Sequence, residues 1–370
     1  MLHLGRPISA RLLAVIIAGS FAGIVTHTQA PQAQAAKAPG PNESYPNPYQ
    51  LEDGWAKMPE GRPLGATSAI DIDKDGTSVW LAERCGSNGP SDRTHSCLDN
   101  RVDPILHFDV SGKVVKTFGA GLMVAPHGMF VDRDSNIWVA DIRDNAPTLP
   151  IARGTPPSAN PPPGSTKGHQ VYKFSPEGKL LMTLGKPGGA AAPAYFFEPG
   201  DVLVLADGNI LVGDGGHAGS APTQSRILEF DKNGKLLKTI GKPGSGPGEI
   251  NQSHGLAVDS QGRLFIANRG NNRLEIFDKD GNFVSSWKQF GRPSSVYIDK
   301  NDVLYVGDDE SNPNSNPGFS RGMRIGGAKD GTVKYFVPPP GDVDGIAVDK
   351  NGVIYGADVN LGKLRKWVRK

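Results

Sequence analysis

The sequence predicts an all-β chain folded as a six-bladed β-propeller, and three observations support that expectation. Short runs alternate apolar and polar residues, the pattern of half-buried strands. Turn formers punctuate them, with 48 Gly and 31 Pro in 370 residues. A four-strand unit then recurs along the chain, as propeller blades do. Its clearest copy spans 251–287, NQSHGLAVDSQGRLFIANRGNNRLEIFDKDGNFVSSW. There SQG joins GLAVD to RLFIANR, GNN leads into RLEIFD, and DKDG reverses the chain into NFVSSW.

The first residues stand apart from this pattern. Arg6 and Arg11 precede an apolar run over 12–25, and Ala33-Gln34-Ala35 offers an A-x-A cleavage site. This predicts a signal peptide over 1–35 and a secreted or periplasmic protein, because the run is short for a stable membrane span. Removing 1–35 takes away two Arg and no acid, which leaves 38 basic against 38 acidic residues. A neutral chain argues against nucleic acid as a partner. Cys85 and Cys97, close together in an exported chain, predict a disulfide bond. Residues 36–48 (AKAPGPNESYPNP) read as a disordered linker, and 49–370 as the propeller, expected as a monomer.

Within 49–370 the units align. First strands end in Asp at Asp73, Asp132, Asp259, Asp299 and Asp349, with a looser version at 202–206. Second strands read SVWLAER, NIWVADI, NILVGDG, RLFIANR, VLYVGDD and VIYGADV. Outer hairpins follow, such as RILEFDKNGKLLKTIG. The last unit stops at its third strand, LRKWV, so a segment near 51–55 is expected to supply the fourth and close the ring. Tight turns such as DKDG and DSQG fall on one face. The longer connections (85–97, 145–168, 215–224 and 309–321) fall on the other, which is the expected working face.

Aligning first strands on their terminal Asp brings Ser68, His127, Gly200, His254, Ser294 and Asp344 to one slot at the channel mouth. His127, His254 and Asp344 then occupy alternate blades. Three ligands at about 120° intervals around one axis suit a single metal ion with an open position, Zn by ligand type, with Fe or Mn as alternatives. The second strands end at Glu83, Asp141, Asp214, Asn268, Asp308 and Asp358, which read mainly as turn formers. Next to two of these stand Arg84 and Arg269, suited either to clamping a carboxylate or to an inter-blade salt bridge. His217, in GDGGHAGS, is either an acid/base group or a solvated loop His.

The stretches APHGMFVD, SHGLAVD, IANRGNNRLEIFD, ERCG, GKPGSGPGEI and KQFGRPSSVYIDKND resemble an NHL-repeat family, the peptidyl-α-hydroxyglycine α-amidating lyases and their exported bacterial relatives. The resemblance runs from about residue 45 to the end. It implies cleavage of a peptidyl-α-hydroxyglycine to a peptide amide and glyoxylate, at a zinc held by three His with two Arg beside it. His127 and His254 match two of the ligands, Arg84 and Arg269 match the arginines, and the Met129 carbonyl matches a calcium contact. Three positions depart from the family. Asp344 replaces the third His, Gly345 replaces an acidic calcium ligand, and Gly216 replaces the Tyr proposed as base. Gly345 counts against calcium, and the base falls to His217 or Tyr195. The expected function is therefore a metal-dependent lyase acting on a small-molecule or peptide substrate. The alternative is a non-catalytic exported propeller that binds a peptide, glycan or protein on its loop-rich face. A lactonase-like hydrolase ranks last, since such channels favour acidic and Asn ligands.

Overall fold

Each repeat folds as the meander that its alternation predicts. The computed structural model describes residues 44–86, 96–146, 159–191, 196–215, 224–360 and 362–370. The predicted signal peptide and most of the predicted linker lie outside the described residues, as do His217 and Tyr195. Six antiparallel four-stranded sheets form, each in simple up-and-down order. The first strands are Thr67–Ile72, Pro126–Val131, Asp201–Val204, Ser253–Val258, Ser295–Ile298 and Gly345–Val348. Each packs against the first strand of the next blade, and the sixth returns to the first. The innermost strands therefore enclose an axis.

Closure occurs in blade six, as the missing strand predicts. Tyr49–Glu52 pairs antiparallel with Lys363–Arg369, with Tyr49 opposite Arg369 and Leu51 opposite Trp367. Backbone groups that would otherwise form an open edge are thereby paired. The linker expectation ends earlier than residue 48. The Pro46 carbonyl accepts from Phe336 N at 3.2 Å and the Pro48 carbonyl from Lys370 N at 2.8 Å, so this segment is already tied to blades five and six.

The core is divided along with the sheets. Six hydrophobic clusters fill the six interfaces between neighbouring blades. Trp80, Trp138 and Trp367, all on blade strands, are almost fully buried. A large aromatic buried this way contributes about 3 kcal/mol or more. A chain of this size thus needs no single large core. Alternation did not reveal the short parallel pairing of Lys242–Pro243 with Glu249–Ile250 inside GKPGSGPGEI, because two-residue strands have no period to read.

The two cysteines form a disulfide with Cα atoms 5.0 Å apart. Cys97 N also donates to the Val124 carbonyl at 2.7 Å, which ties the loop of blade one to the entry of blade two. No helix among the described residues is long and apolar enough to cross a membrane.

Candidate metal centre

In blades one, two and four the slot residue sits at a bulge in its strand. In blade two the register jumps between Pro126 and Met129, so His127 and Gly128 together oppose one partner residue. Blade four repeats this between Ser253 and Leu256, around His254 and Gly255, and blade one around Ser68. A bulge re-aims a side chain that regular pleating would direct elsewhere. The glycine after each ligand has a steric reason. A Cβ on Gly128 would lie 2.6 Å from the Gly200 carbonyl oxygen, and one on Gly345 would lie 2.0 Å from that of Ser68. The strand of the next blade passes that close. An acidic side chain at position 345 therefore has no room, which gives the departure from the calcium pattern a physical cause.

Hydrogen bonds link slot to slot around the ring. Ser68 Oγ donates to the His127 carbonyl at 2.8 Å. His127 Nδ1–H donates to the Gly200 carbonyl at 2.7 Å, and His254 Nδ1–H to the Ser294 carbonyl at 2.7 Å. A carbonyl can only accept, so each Nδ1 keeps its proton and each Nε2 presents a lone pair. Such a partner on the far nitrogen is the usual support of a metal-ligating imidazole.

His127, His254 and Asp344 are buried, and their ligand atoms lie within 4.8 Å of one another. The two imidazoles meet edge to face, 4.5 Å between centroids. His254 Nε2 and Asp344 Oδ1 are 3.7 Å apart. Two donors each about 2.1 Å from one ion can be at most about 4.2 Å apart, so this pair fits a shared metal. Burial disfavours charge on both partners, so this approach is not read as an ion pair. Burial, assisted by Arg84, lowers the His127 pKa to about 3. Burial and Arg269 hold His254 well below its ordinary range. Burial and the nearby Asp309 push Asp344 well up, with Arg269 opposing. Neutral imidazoles are ready to ligate, while Asp344 must shed a proton to a metal. Two imidazoles and a carboxylate grouped in this way can hold a divalent metal.

Beneath the slots lies a cavity of about 260 Å³. Ile70, Met129, Val202, Leu256, Val296 and Ile346, one from each blade, form an apolar collar in it. Each stands two positions beyond its slot residue.

The second-strand ends hold the entry loops. Asp141 accepts from Val124 N and Ala125 N at 2.9 and 2.6 Å, and Asp214 from Phe197 N at 2.7 Å. Asn268 and Asp308 do the same for Asn251 N and Arg292 N. Arg84 and Arg269, the next residues in blades one and four, are buried at 2% and 4% exposure. Arg269 opens a 3-10 turn, Arg269–Asn271, where the sequence suggests a plain turn. Both arginines act electrostatically on His127 and Asp344, so both lie near the ligand set. Arg269 also approaches Glu310, 3.4 Å from NH1 to Oε1. Sequence reasoning passed over Asp309 and Glu310. Asp309 bonds to Ser294 Oγ, and burial raises its pKa to about 6 against the pull of Arg269. The signal was available: Asp309 holds the blade-five position equivalent to Arg84 and Arg269.

Comparison with known proteins places this geometry. Residues 251–277 match the NHL repeat. Human NHL repeat-containing protein 3 is 28% identical over 248 residues, which cover 65% of this chain and 59% of that protein. Peptidyl-glycine alpha-amidating monooxygenase B of Xenopus laevis is 28% identical over 281 residues, 70% of this chain and 28% of that protein. In Caenorhabditis elegans, pgal-1, named a probable peptidyl-alpha-hydroxyglycine alpha-amidating lyase, is 28% identical over 229 residues, 58% of this chain and 56% of that protein. The chain is an NHL-repeat six-bladed β-propeller. This NHL propeller is related to these three proteins and spans less than two thirds of each. The solved streptogramin B lyase has a TM-score of 0.50 at 16% identity, covering 87% of this chain and 98% of that one. Virginiamycin B lyase of Staphylococcus aureus gives 0.51 at 13%, covering 87% and 100%. These two likenesses concern the fold of the NHL propeller alone.

Proposed function

We propose that this protein is an exported metal-dependent lyase that cleaves an α-hydroxyglycine-type carbinolamide to an amide and glyoxylate. The observation behind the reading is the buried grouping of His127, His254 and Asp344 from alternate blades, with ligand atoms within 4.8 Å. Relatedness to amidating proteins supports this reaction class. The disulfide is consistent with a location outside the cytoplasm.

In this reading His127, His254 and Asp344 hold the metal, with zinc the first choice and Fe or Mn the alternatives. Bound there, the metal supplies a Lewis acid that polarises the substrate hydroxyl. Arg84 and Arg269 orient the carboxylate end beside it. The hydroxyl proton leaves, the C–N bond breaks to form the aldehyde of glyoxylate, and the departing amide nitrogen takes up a proton. His217 is our candidate for moving that proton. A carboxylate in place of a third imidazole would add negative charge to the ligand set.

The purified protein is expected to hold about one metal per chain and to release glyoxylate from α-hydroxyhippurate. Chelation or the pair His127→Ala and His254→Ala should abolish both. Full activity in a metal-free preparation would overturn the mechanism. The likeness to NHL repeat-containing protein 3 favours a second reading, a binding propeller. It requires that His127→Ala lose metal while keeping a partner bound.

A further inference from the structure

Glu310 lies between two arginines at the channel mouth. Its Oε1 is 3.4 Å from Arg269 NH1, and its Oε2 accepts from Arg292 Nε at 3.0 Å. The guanidiniums are fixed in place. Arg292 NH1 donates to the Arg269 carbonyl at 2.8 Å and to Asn272 Oδ1 at 3.0 Å. Arg269 Nε is directed at Gln252 Oε1, 3.4 Å away. Exposure divides the three side chains: Arg269 is 5% and Arg292 15% exposed, whereas Glu310 is 40% exposed. The cations are built into the wall and the acid is able to swing into solvent. Arg269 also acts electrostatically on His127, His254 and Asp344, so an anion held by it lies beside the ligand set.

We infer that Glu310 is a specificity-determining residue, an internal carboxylate that, shared with Arg292, occupies the Arg269 guanidinium assigned above to the carboxylate of a substrate. The inference rests on the lyase reading and deepens it. A carboxylate divided between two guanidiniums is the arrangement an anionic ligand would adopt there. A ligand carboxylate must first displace Glu310, so binding is weakened by the fraction of molecules in which Glu310 is docked. Displacement is feasible because the Glu310 side chain is itself 40% exposed, and an ion pair open to water contributes little. Glu310 is not one of the three candidate ligands, although it acts electrostatically on Asp344. Its main effect therefore falls on substrate affinity, more than on the chemical step.

The test is calorimetric binding of hippurate, an unreactive acylglycine carboxylate, with its neutral amide as control. Metal-loaded wild type is compared with Glu310→Gln and Glu310→Ser, both checked by thermal melting. Both variants should bind hippurate about tenfold more tightly. The neutral amide should bind all three proteins alike, and adding Arg269→Gln should erase the gain. With α-hydroxyhippurate, KM should fall in the Glu310 variants while kcat holds. Unchanged hippurate affinity in both Glu310 variants, no measurable hippurate binding to any of the proteins, or an equal gain for the amide would each overturn the inference. Failure of the lyase reading looks different: wild type would release no glyoxylate, whatever the hippurate affinities.

Discussion

Asp344 and Gly345 show how much one residue pair can decide. Asp344 takes the slot that holds His in blades two and four, and its carboxylate approaches His254 Nε2. Gly345 follows because the Ser68 carbonyl passes beneath it. Replacing Gly345 with Asp should therefore not restore a calcium ligand. It should cost about 1–3 kcal/mol of stability, since the strands must part to admit the side chain. Denaturant midpoints and a calcium titration of Gly345→Asp check this; a stable variant that binds calcium would refute it. The slot itself was legible, because terminal Asp residues set the register of five of the six first strands and the looser third followed the same spacing. The bulges were not. A bulge is one unpaired residue, and it becomes visible only when both strands of a pair are placed.

Among the elements, the disulfide loop of blade one illustrates local positioning. Arg84 directly follows a strand, Cys85 stands next at φ +56°, and Cys97 bonds to the blade-two entry at Val124. The cross-link closes a loop of 12 positions, which contributes about 3 kcal/mol on the chain-entropy account. Cys85→Ser with Cys97→Ser should lower stability by up to about that amount. Metal content should remain unchanged, since all three candidate ligands lie on other strands. Chemical denaturation and elemental analysis of the double variant measure both effects, and metal loss would show that the loop supports the ligand set. The pairing was legible from compartment and spacing. Its link to blade two was not, because it depends on a backbone contact between units.

For the molecule as a whole, two half-buried carboxyls between blades set a pH dependence. Asp71 accepts from Val131 N and Asp201 from Leu256 N, each at 2.8 Å, which joins blade one to two and three to four. Burial raises Asp71 to about 7 and Asp201 to about 8, against those backbone bonds. Both stay protonated in the fold while the unfolded chain ionises. Their contribution is thus complete below about pH 4 and is lost as pH rises through 7 and 8. Stability should fall by about 2 kcal/mol or more between pH 5 and 9, and Asp71→Asn should flatten that slope. Thermal melts across that range decide it, and identical slopes would rule it out. Asp73 works in the opposite window. His107 and other donors hold it near 2 despite burial, so its share is lost only as pH falls through that value. By itself the sequence determined the repeat, the blade register, the closing strand and the residues sharing each slot, because strand period and turn chemistry are local and recur in every unit. Only the tertiary structure decided how closely groups meet across blades: the three candidate ligands at the axis, Glu310 between Arg269 and Arg292, and the half-buried carboxyls between sheets. Those distances depend on how six sheets twist around one axis, and no local pattern encodes that.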